Sequence, residues 1–516
     1  MTKIYLLVLV FIFCISNYSQ SQPGILDCDF NADGKITTDI STHFDYAYDV
    51  AIQDDGKIIA AGLTYNGSNE DFLVIRYTTD GNYDNTFGNN GIDTIDFGGL
   101  MDDAMSLAIQ PDGKIIVAGY SYNTSFETYI SIVRLKYDGS LDPSFGNNGK
   151  INDNYSLSIN SINSVIIQPD GKILAGGSCN GDFIIIRYKP DGAIDSTFGI
   201  NGFAITDFNV SYDIIQKIAL QNDGKIIASG ISDNNTTDND FALARYNNDG
   251  TLDTTFSIDG LLTTAIGTSH DYARDMVLQP DGKILVGGKV VHENISHFGL
   301  ARYNIDGSLD LSFNSSGKVF VNAGNSPELW AIALQNDGKI LLGGNSITVT
   351  EDDFTIVRVN TQGSIDSTFG TNGIAYADFN LRNDRIMSMA IQSDGRIVAV
   401  GDVIINTTED FAVARFISDP DFGIIDFSKN ENAALIFPNP VKKETTIEYE
   451  LLNNEILSID LSDMNGKLIK TFITNESRNK GKHKETLNFD ESIKAGNYLL
   501  TIKNNSQKIS LKIIKE

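Results

Sequence analysis

The sequence predicts an all-β chain: a seven-bladed β-propeller closed by its own N-terminal strand, followed by a small C-terminal β-sandwich. Three observations carry this prediction. First, Gln-x-Asp-Gly-Lys/Arg-Ile, followed by apolar residues and Gly, begins at Gln53, Gln110, Gln168, Gln221, Gln279, Gln335 and Gln392, a nearly constant interval. A fixed period of that size marks stacked units, each too small to bury a core alone. Second, each interval reads as about four short strands joined by tight turns, the signature of a blade. Third, the half-repeat missing from the end of the array stands at its beginning.

Repeat two shows the elements in order. Ala104 to Gln110 alternates as a strand, and Pro111-Asp112-Gly113 turns the chain: Pro presets φ, Asp bonds its own backbone and Gly takes the left-handed position. Lys114 to Ser121, rich in Ile and Val, is a second strand, and Tyr129 to Tyr137 a third. Asp138-Gly139 turns again, and Leu141-Asp142-x-x-Phe145-Gly146-x-x-Gly149 leads to a short fourth strand near Lys150. A β-sandwich or a solenoid also uses short strands at even spacing, but solenoid coils are shorter and sandwiches do not repeat their sequence.

Seven three-strand fronts are present, the last ending at Arg415-Phe416, but only six backs follow them. The seventh back is Gly24 to Gly34, which aligns without gaps on Gly139 to Gly149 with its Gly, Leu, Asp, Phe and final Gly in place; Asn31 replaces the middle Gly. Lys35 to Ile40 is then the fourth strand of the last blade. An open array has no use for such a match, whereas closure removes exposed strand edges.

Gln-Pro-Asp-Gly-Lys-Ile, the Asp-Phe-x-x-x-Arg-Tyr strand and Gly-x-Leu-Asp-x-x-Phe-Gly-x-x-Gly recur in register from Gly24 to Phe416. These elements resemble the delta-60 repeat family of secreted bacterial proteins. The resemblance implies a fold and supplies no activity.

The organisation expected is a signal peptide at 1–21, the propeller at 22–416, a linker at 417–434 and a terminal domain at 435–516. Lys3 precedes an apolar run from Ile4 to Ile15, too short to span a bilayer, with Ser19 and Ser21 offering cleavage sites. Phe13 before Cys14 argues against a lipoprotein site, so Cys14 belongs to the discarded segment. No later apolar run approaches the length of a membrane-spanning helix, so a soluble mature protein without a transmembrane segment is expected.

The terminal domain opens at Phe437-Pro438-Asn439-Pro440, an entry turn. Thr445 to Leu451 alternates as a strand. Ile456 to Leu461 and Lys467 to Phe472 flank Asn465-Gly466 as a hairpin, and Gly496 to Ile502 with Lys508 to Ile514 forms another. About seven short strands suggest a sandwich. Phe437-Pro438-Asn439-Pro440, Leu461-x-x-x-Asn465-Gly466-Lys467, Gly496-x-Tyr498 and Lys512-Ile513-Ile514-Lys515 are similar to the C-terminal sorting domain, type A, of the type IX secretion system; Phe437 stands where that family usually has Tyr. The resemblance implies a partnership with the type IX machinery, export through a Gram-negative outer membrane, removal of the domain, and attachment or release at the surface. The alternative is an ordinary binding sandwich.

The net charge is −28, and residues from Phe437 onward carry 13 Lys/Arg against 11 Asp/Glu, so the acidity lies in the rest of the chain. A body that acidic repels nucleic acid and anionic lipid. Solubility explains it; calcium binding is the sharper alternative. Cys28 and Cys179 fall about two repeats apart and are expected as free or buried thiols rather than a disulfide.

Arg76, Arg134, Arg187, Arg245, Arg302, Arg358 and Arg415 hold one place in every unit. A catalytic residue is needed once, so these read as structural, pairing with a turn aspartate such as Asp142 or Asp195 or with a carbonyl; a ring of anion-binding arginines facing the channel is the alternative. Asp29-x-Asn31-x-Asp33-Gly34 imitates the start of a calcium loop, but position twelve is Ile40. The histidines are His43, His270, His292, His297 and His483; His292 and His297 flank Glu293 without an evident third ligand. Trp330 is the sole tryptophan, and no Ser-His-Asp set, phosphate loop or Cys cluster stands out. No catalytic residue, metal site or cofactor is therefore expected. The variable loops Asn66–Glu70, Asn123–Glu127, Ser232–Asn239, Val291–Ser296 and Ser346–Glu351 are the expected seat of function. The functional expectation is a non-enzymatic secreted or cell-surface binding and adhesion scaffold for a glycan or protein; the alternatives are an enzyme with its site at the propeller mouth and a surface-layer component.

Overall fold

The computed structural model describes residues 22–418 apart from 41–42, 209–211, 234–237, 349–350, 380–382 and 406–407, and residues 434–515 apart from 438, 452–454, 464–466, 480, 491–492, 495 and 504–507. The expected signal peptide, most of the linker, the Asn465-Gly466 turn and parts of the loops 232–239 and 346–351 lie outside the described residues. Among the described residues every regular element is a strand, and no helix is long and apolar enough to cross a membrane.

The chain up to Ser418 forms seven four-stranded antiparallel sheets. In blade one, β2 (Asp45–Ile52), β3 (Ile58–Tyr65), β4 (Glu70–Tyr77) and β5 (Ile92–Ile95) pair in chain order. First strands of successive blades touch one another, and the last of them, Asp384–Ile391, touches β2, so the first strands ring the axis.

Every first strand carries a one-residue register shift, between Ala47 and Asp49 in blade one and at the equivalent place in the other six. The glycine that ends each copy of the repeated sentence explains where the shift falls. A Cβ on Gly62 would stand 1.8 Å from the carbonyl oxygen of Tyr46, and one on Gly119, Gly288 or Gly401 would meet its counterpart equally closely. Only glycine admits a bulge folded this tightly against the second strand.

Closure occurs as the sequence predicts. In blade seven, Asp384–Ile391, Ile397–Ile405 and Thr408–Phe416 are completed by β1 (Lys35–Thr38). The register runs Lys35↔Ala414 to Thr38↔Phe411. Upstream, Asp27 N–H donates to Arg415 O (2.8 Å), and Arg415 N–H donates to Gly34 O (2.9 Å). Apolar cores sit between blades rather than within them. The seven-to-one core joins Val398, Val400, Phe411 and Val413 to Ala47, Ala60 and Leu73, with Phe30 and Ile36 of the N-terminal segment inside it.

The C-terminal unit is a two-sheet sandwich. Residues Ala434–Phe437, Glu444–Leu451 and Gly481–Asn488 form one sheet; Leu468–Arg478, Glu455–Asp463, Gly496–Lys503 and Lys508–Lys515 form the other, in that order. Ile447, Leu457, Ile459, Leu461, Leu487, Leu500 and Ile513 share its core. The expected linker ends one residue early, because Ala434 already pairs with Tyr449.

Removing residues 22–44 deletes β1, Phe30 and Asp27. The truncated propeller is expected to lose its single cooperative thermal transition or to aggregate, which calorimetry checks; unchanged melting would contradict closure.

Candidate functional site

The seven arginines are fasteners between blades and do not face the axis. Arg134 Nε donates to Asp142 Oδ2 (2.9 Å), Nη2 donates to Ser144 Oγ (3.0 Å), and Nη1 donates to Pro190 O of the next blade. Its guanidinium lies over Phe145, 4.7 Å from the ring centroid. Arg76, Arg187, Arg245 and Arg302 repeat the arrangement, reaching the carbonyls of Tyr137, Asn248, Ile305 and Thr361. Arg415 makes the closing copy from borrowed parts: Nε donates to Asp27 Oδ2 (2.8 Å), Nη1 to Thr79 O of blade one, and the cation covers Phe30. The structure thus overturns the alternative of an anion-binding arginine ring: the guanidiniums are buried and engaged with aspartates, hydroxyls and carbonyls of the seam. A cavity of about 560 Å³ beside Arg245, Lys225 and Lys283 belongs to this repeated seam.

Burial opposes ionisation of Asp142, but donation from the Ser144 hydroxyl and amide and the charges of Arg134 and Lys114 outweigh it and hold the carboxyl down at about 2; Asp195 is held the same way by Thr197, Arg187 and Lys172. A carboxyl whose folded pKa lies below its unfolded value stabilises the fold at neutral pH and loses that contribution as pH falls from about 4 toward 2. Asp142→Asn is expected to flatten the acid loss of stability in that window. Arg134→Met, which leaves the buried Asp142 carboxylate with Lys114 as its remaining cation, is expected to cost on the order of 3 kcal/mol in urea unfolding at pH 7.

At the axis the repeat stops repeating. Two residues before each bulged residue, seven before the marker Gln, stands Tyr46, Asp103, Ser161, Ile214, Tyr272, Glu328 or Arg385; the bulged residue is Tyr48, Met105, Asn163, Gln216, Arg274, Trp330 or Met387. The residue after the bulge supplies a polar belt. Asp49 Oδ2 accepts Leu107 N–H (2.9 Å) and Ser106 Oγ–H (3.1 Å), and Ser388 Oγ donates to Asp49 Oδ1 (2.9 Å). Ser106 and Ser164 accept the amides of Val165 and Ile218, Asp275 accepts that of Ile332, and Lys217 pairs with Asp275 at 3.7 Å. The belt ties first strands across six of the seven junctions; in blade six the position is Ala331, which offers no polar side chain.

Above the belt, a cleft of about 410 Å³ opens between blades one, two and seven, lined by Tyr46, Tyr48, Glu70, Asp103, Arg385 and Asp402 among others. Tyr46 and Tyr48 stack with centroids 6.1 Å apart. Arg385 grips Asp402 Oδ2 through Nε (3.1 Å) and Nη2 (2.9 Å). Burial first, and then the charge of Asp103, push Glu70 up to about 7. Burial raises Asp103 as well, against the stabilising influence of the Tyr120 hydroxyl. Among the other axial positions, Arg274 lies 4.0 Å over the Trp330 ring, and both Arg274 Nε and Trp330 Nε1 are buried donors without an acceptor.

The loops expected to carry function contribute little to this cleft; Glu70 alone comes from their edge. The other residues sit on strands, where alternation makes them read as ordinary sheet. Their one sequence signal is variation at positions where the rest of the repeat is uniform. Asp33 and Asn31 are consumed by the turn: Asp33 Oδ1 accepts Lys35 N–H and Asn31 Nδ2 donates to Lys35 O. His292 and His297 pack on Phe320, with centroids 4.6 and 6.1 Å away. Cys28 is exposed and Cys179 buried, and the two form no disulfide with each other.

The family model described as a domain of unknown function (DUF5122) β-propeller matches seven times, at residues 53–87, 110–145, 168–198, 221–256, 279–313, 335–369 and 392–419. The secretion system C-terminal sorting domain matches residues 435–516. The chain is a DUF5122 β-propeller protein with a C-terminal sorting domain. The terminal sandwich is thus the export signal for type IX secretion, and this propeller protein is secreted or displayed on the surface of a Gram-negative bacterium. No curated protein matches it in sequence. Solved structures similar to it include a protein of unknown function from Dyadobacter fermentans (10% identity, 75% of this chain and 98% of that one, TM-score 0.39). A protein from Lactobacillus plantarum (13%, 72% and 99%, 0.36) and an ulvan lyase (11%, 75% and 98%, 0.39) are others. Likeness at that level says nothing of chemistry.

Proposed function

We propose that this DUF5122 propeller is a non-enzymatic binding and adhesion module at the cell surface, and that its axial cleft takes a hydroxyl-rich ligand of the glycan class. The observation that carries the reading is variation at the axis within first strands whose other positions recur: uniform positions build the ring, and Tyr46, Tyr48, Asp103, Arg385 and Trp330 can serve something outside it. Stacked tyrosines offer flat apolar faces to sugar rings, and the Arg385–Asp402 pair offers a donor and an acceptor side by side. After export the sorting domain is removed and the propeller attached or released.

The acid pair Glu70–Asp103 is the feature that favours an enzyme. An acid held near 7 beside a second carboxyl can serve proton transfer, so the two readings part on whether product forms.

A glycan array probed with the purified propeller is expected to yield a ligand at micromolar concentration. Tyr48→Ala and Arg385→Ala should each weaken that binding about tenfold, or about 1.4 kcal/mol. Absence of any glycan or protein ligand would count against the reading, and shortened glycan products would replace it with the enzyme.

A further inference from the structure

Three positions meet at every blade junction: one near the start of a blade's third strand, one just past its fourth, and one opening the next blade's first strand. At four junctions all three are aspartate: Asp39, Asp45 and Asp410; Asp71, Asp96 and Asp102; Asp182, Asp207 and Asp213; Asp353, Asp378 and Asp384. In each set a carboxylate oxygen from every residue lies within 4.8 Å of the other two. Oxygens bound to one calcium ion at about 2.4 Å can stand no further apart than twice that length, so each set meets the spacing a single ion requires.

A second observation is independent of the clustering. Asp102 and Asp384 are 0% exposed. One oxygen of each caps the incoming connection: Phe97 N–H donates to Asp102 Oδ2 (2.7 Å), and Phe379 N–H donates to Asp384 Oδ2 (2.7 Å). The other oxygen, Oδ1, is buried without a hydrogen-bond donor in both residues. With Oδ2 occupied, Oδ1 is the atom left for the cluster, and an orphaned buried carboxylate oxygen is costly unless a cation meets it. Burial first, and then the neighbouring carboxylates, push both groups up to about 7.

The repeat supplies its own controls. At two junctions the same positions hold Tyr129, Asn154 and Asn160, or His297, Asn322 and Pro327, so the carboxylates are lost as a set. At the remaining junction Ala265 stands between Asp240 and Asp271, and Asp271 Oδ1 is buried without a donor there too, so this junction keeps the cap and the orphaned oxygen and lacks only the third carboxylate. A turn cap alone needs one aspartate; a cation needs the set.

We propose that the four aspartate junctions are calcium sites that clamp neighbouring blades, including the junction between blade seven and blade one. Three carboxylates provide half or less of a calcium shell, with water and carbonyl oxygens completing it, in a geometry less strict than magnesium demands. The sequence reading expects no metal because each set gathers residues from separate strands, and in the closing set from opposite ends of the propeller.

The test uses the mature full chain, dialysed against calcium and analysed for metal content, with melting measured in EDTA, in calcium and in magnesium. About four calcium ions per chain are expected, with a melting temperature raised by calcium more than by magnesium. Asp102→Asn keeps an oxygen for Phe97 N–H, so it should lower the stoichiometry by about one and melt no lower than wild type in EDTA. Asp384→Asn is the second variant and should behave alike. Melting insensitive to calcium, unchanged stoichiometry in both variants, or an equal loss of stability in EDTA and in calcium would overturn the proposal.

Discussion

No blade of this propeller can cover its own two apolar faces, and that constraint governs the rest of the structure. Each core lies between two sheets, so every sheet needs a neighbour on both sides and the array is complete only as a ring. The arginine fastener makes the requirement specific. Arg134 holds Asp142 and Phe145 in its own blade and the Pro190 carbonyl in the next, which fixes sheet spacing as well as burying area. In blade seven the same arginine finds its aspartate and phenylalanine only in the N-terminal segment, as Asp27 and Phe30. Closure is therefore a charge-paired contact as well as a strand pairing.

The repeat also separates structure from function. Arginine, the Asp-Gly turn and the bulge-facing glycine recur because every blade needs them. The bulged positions Tyr48, Arg274 and Trp330 differ because they face one shared axis and need not match. A chain built of equivalent units can acquire a site only where the units stop being equivalent, and the axis is where first strands from all seven blades converge.

Much of the fold was legible in the sequence for the same reason. Periodic markers placed the blades, and the gapless match of Gly24–Gly34 to Gly139–Gly149 placed the closing strand. The cleft was not legible, because Tyr46, Asp103 and Arg385 lie in strands of blades one, two and seven and meet only after closure. Strand alternation hid them, and the bulge shifted their facing by one residue. Attention to the polar loops found only Glu70. The aspartate sets were equally invisible as motifs: Asp71, Asp96 and Asp102 look like scattered surface acids until the junction gathers them. In the sorting domain the hairpins were readable from their turns, while the strand at Ala434–Phe437 was missed because the prolines after it suggested that the module starts there.

Amide hydrogen exchange on the intact chain tests the closed ring most directly. Residues Lys35–Thr38 should be as protected as Lys150–Asp153, which hold the same place in blade two, and Ala412 and Ala414 should be protected with them. Exchange of residues 35–38 at the rate of an unstructured chain, with blade two protected, would contradict closure by the N-terminal strand.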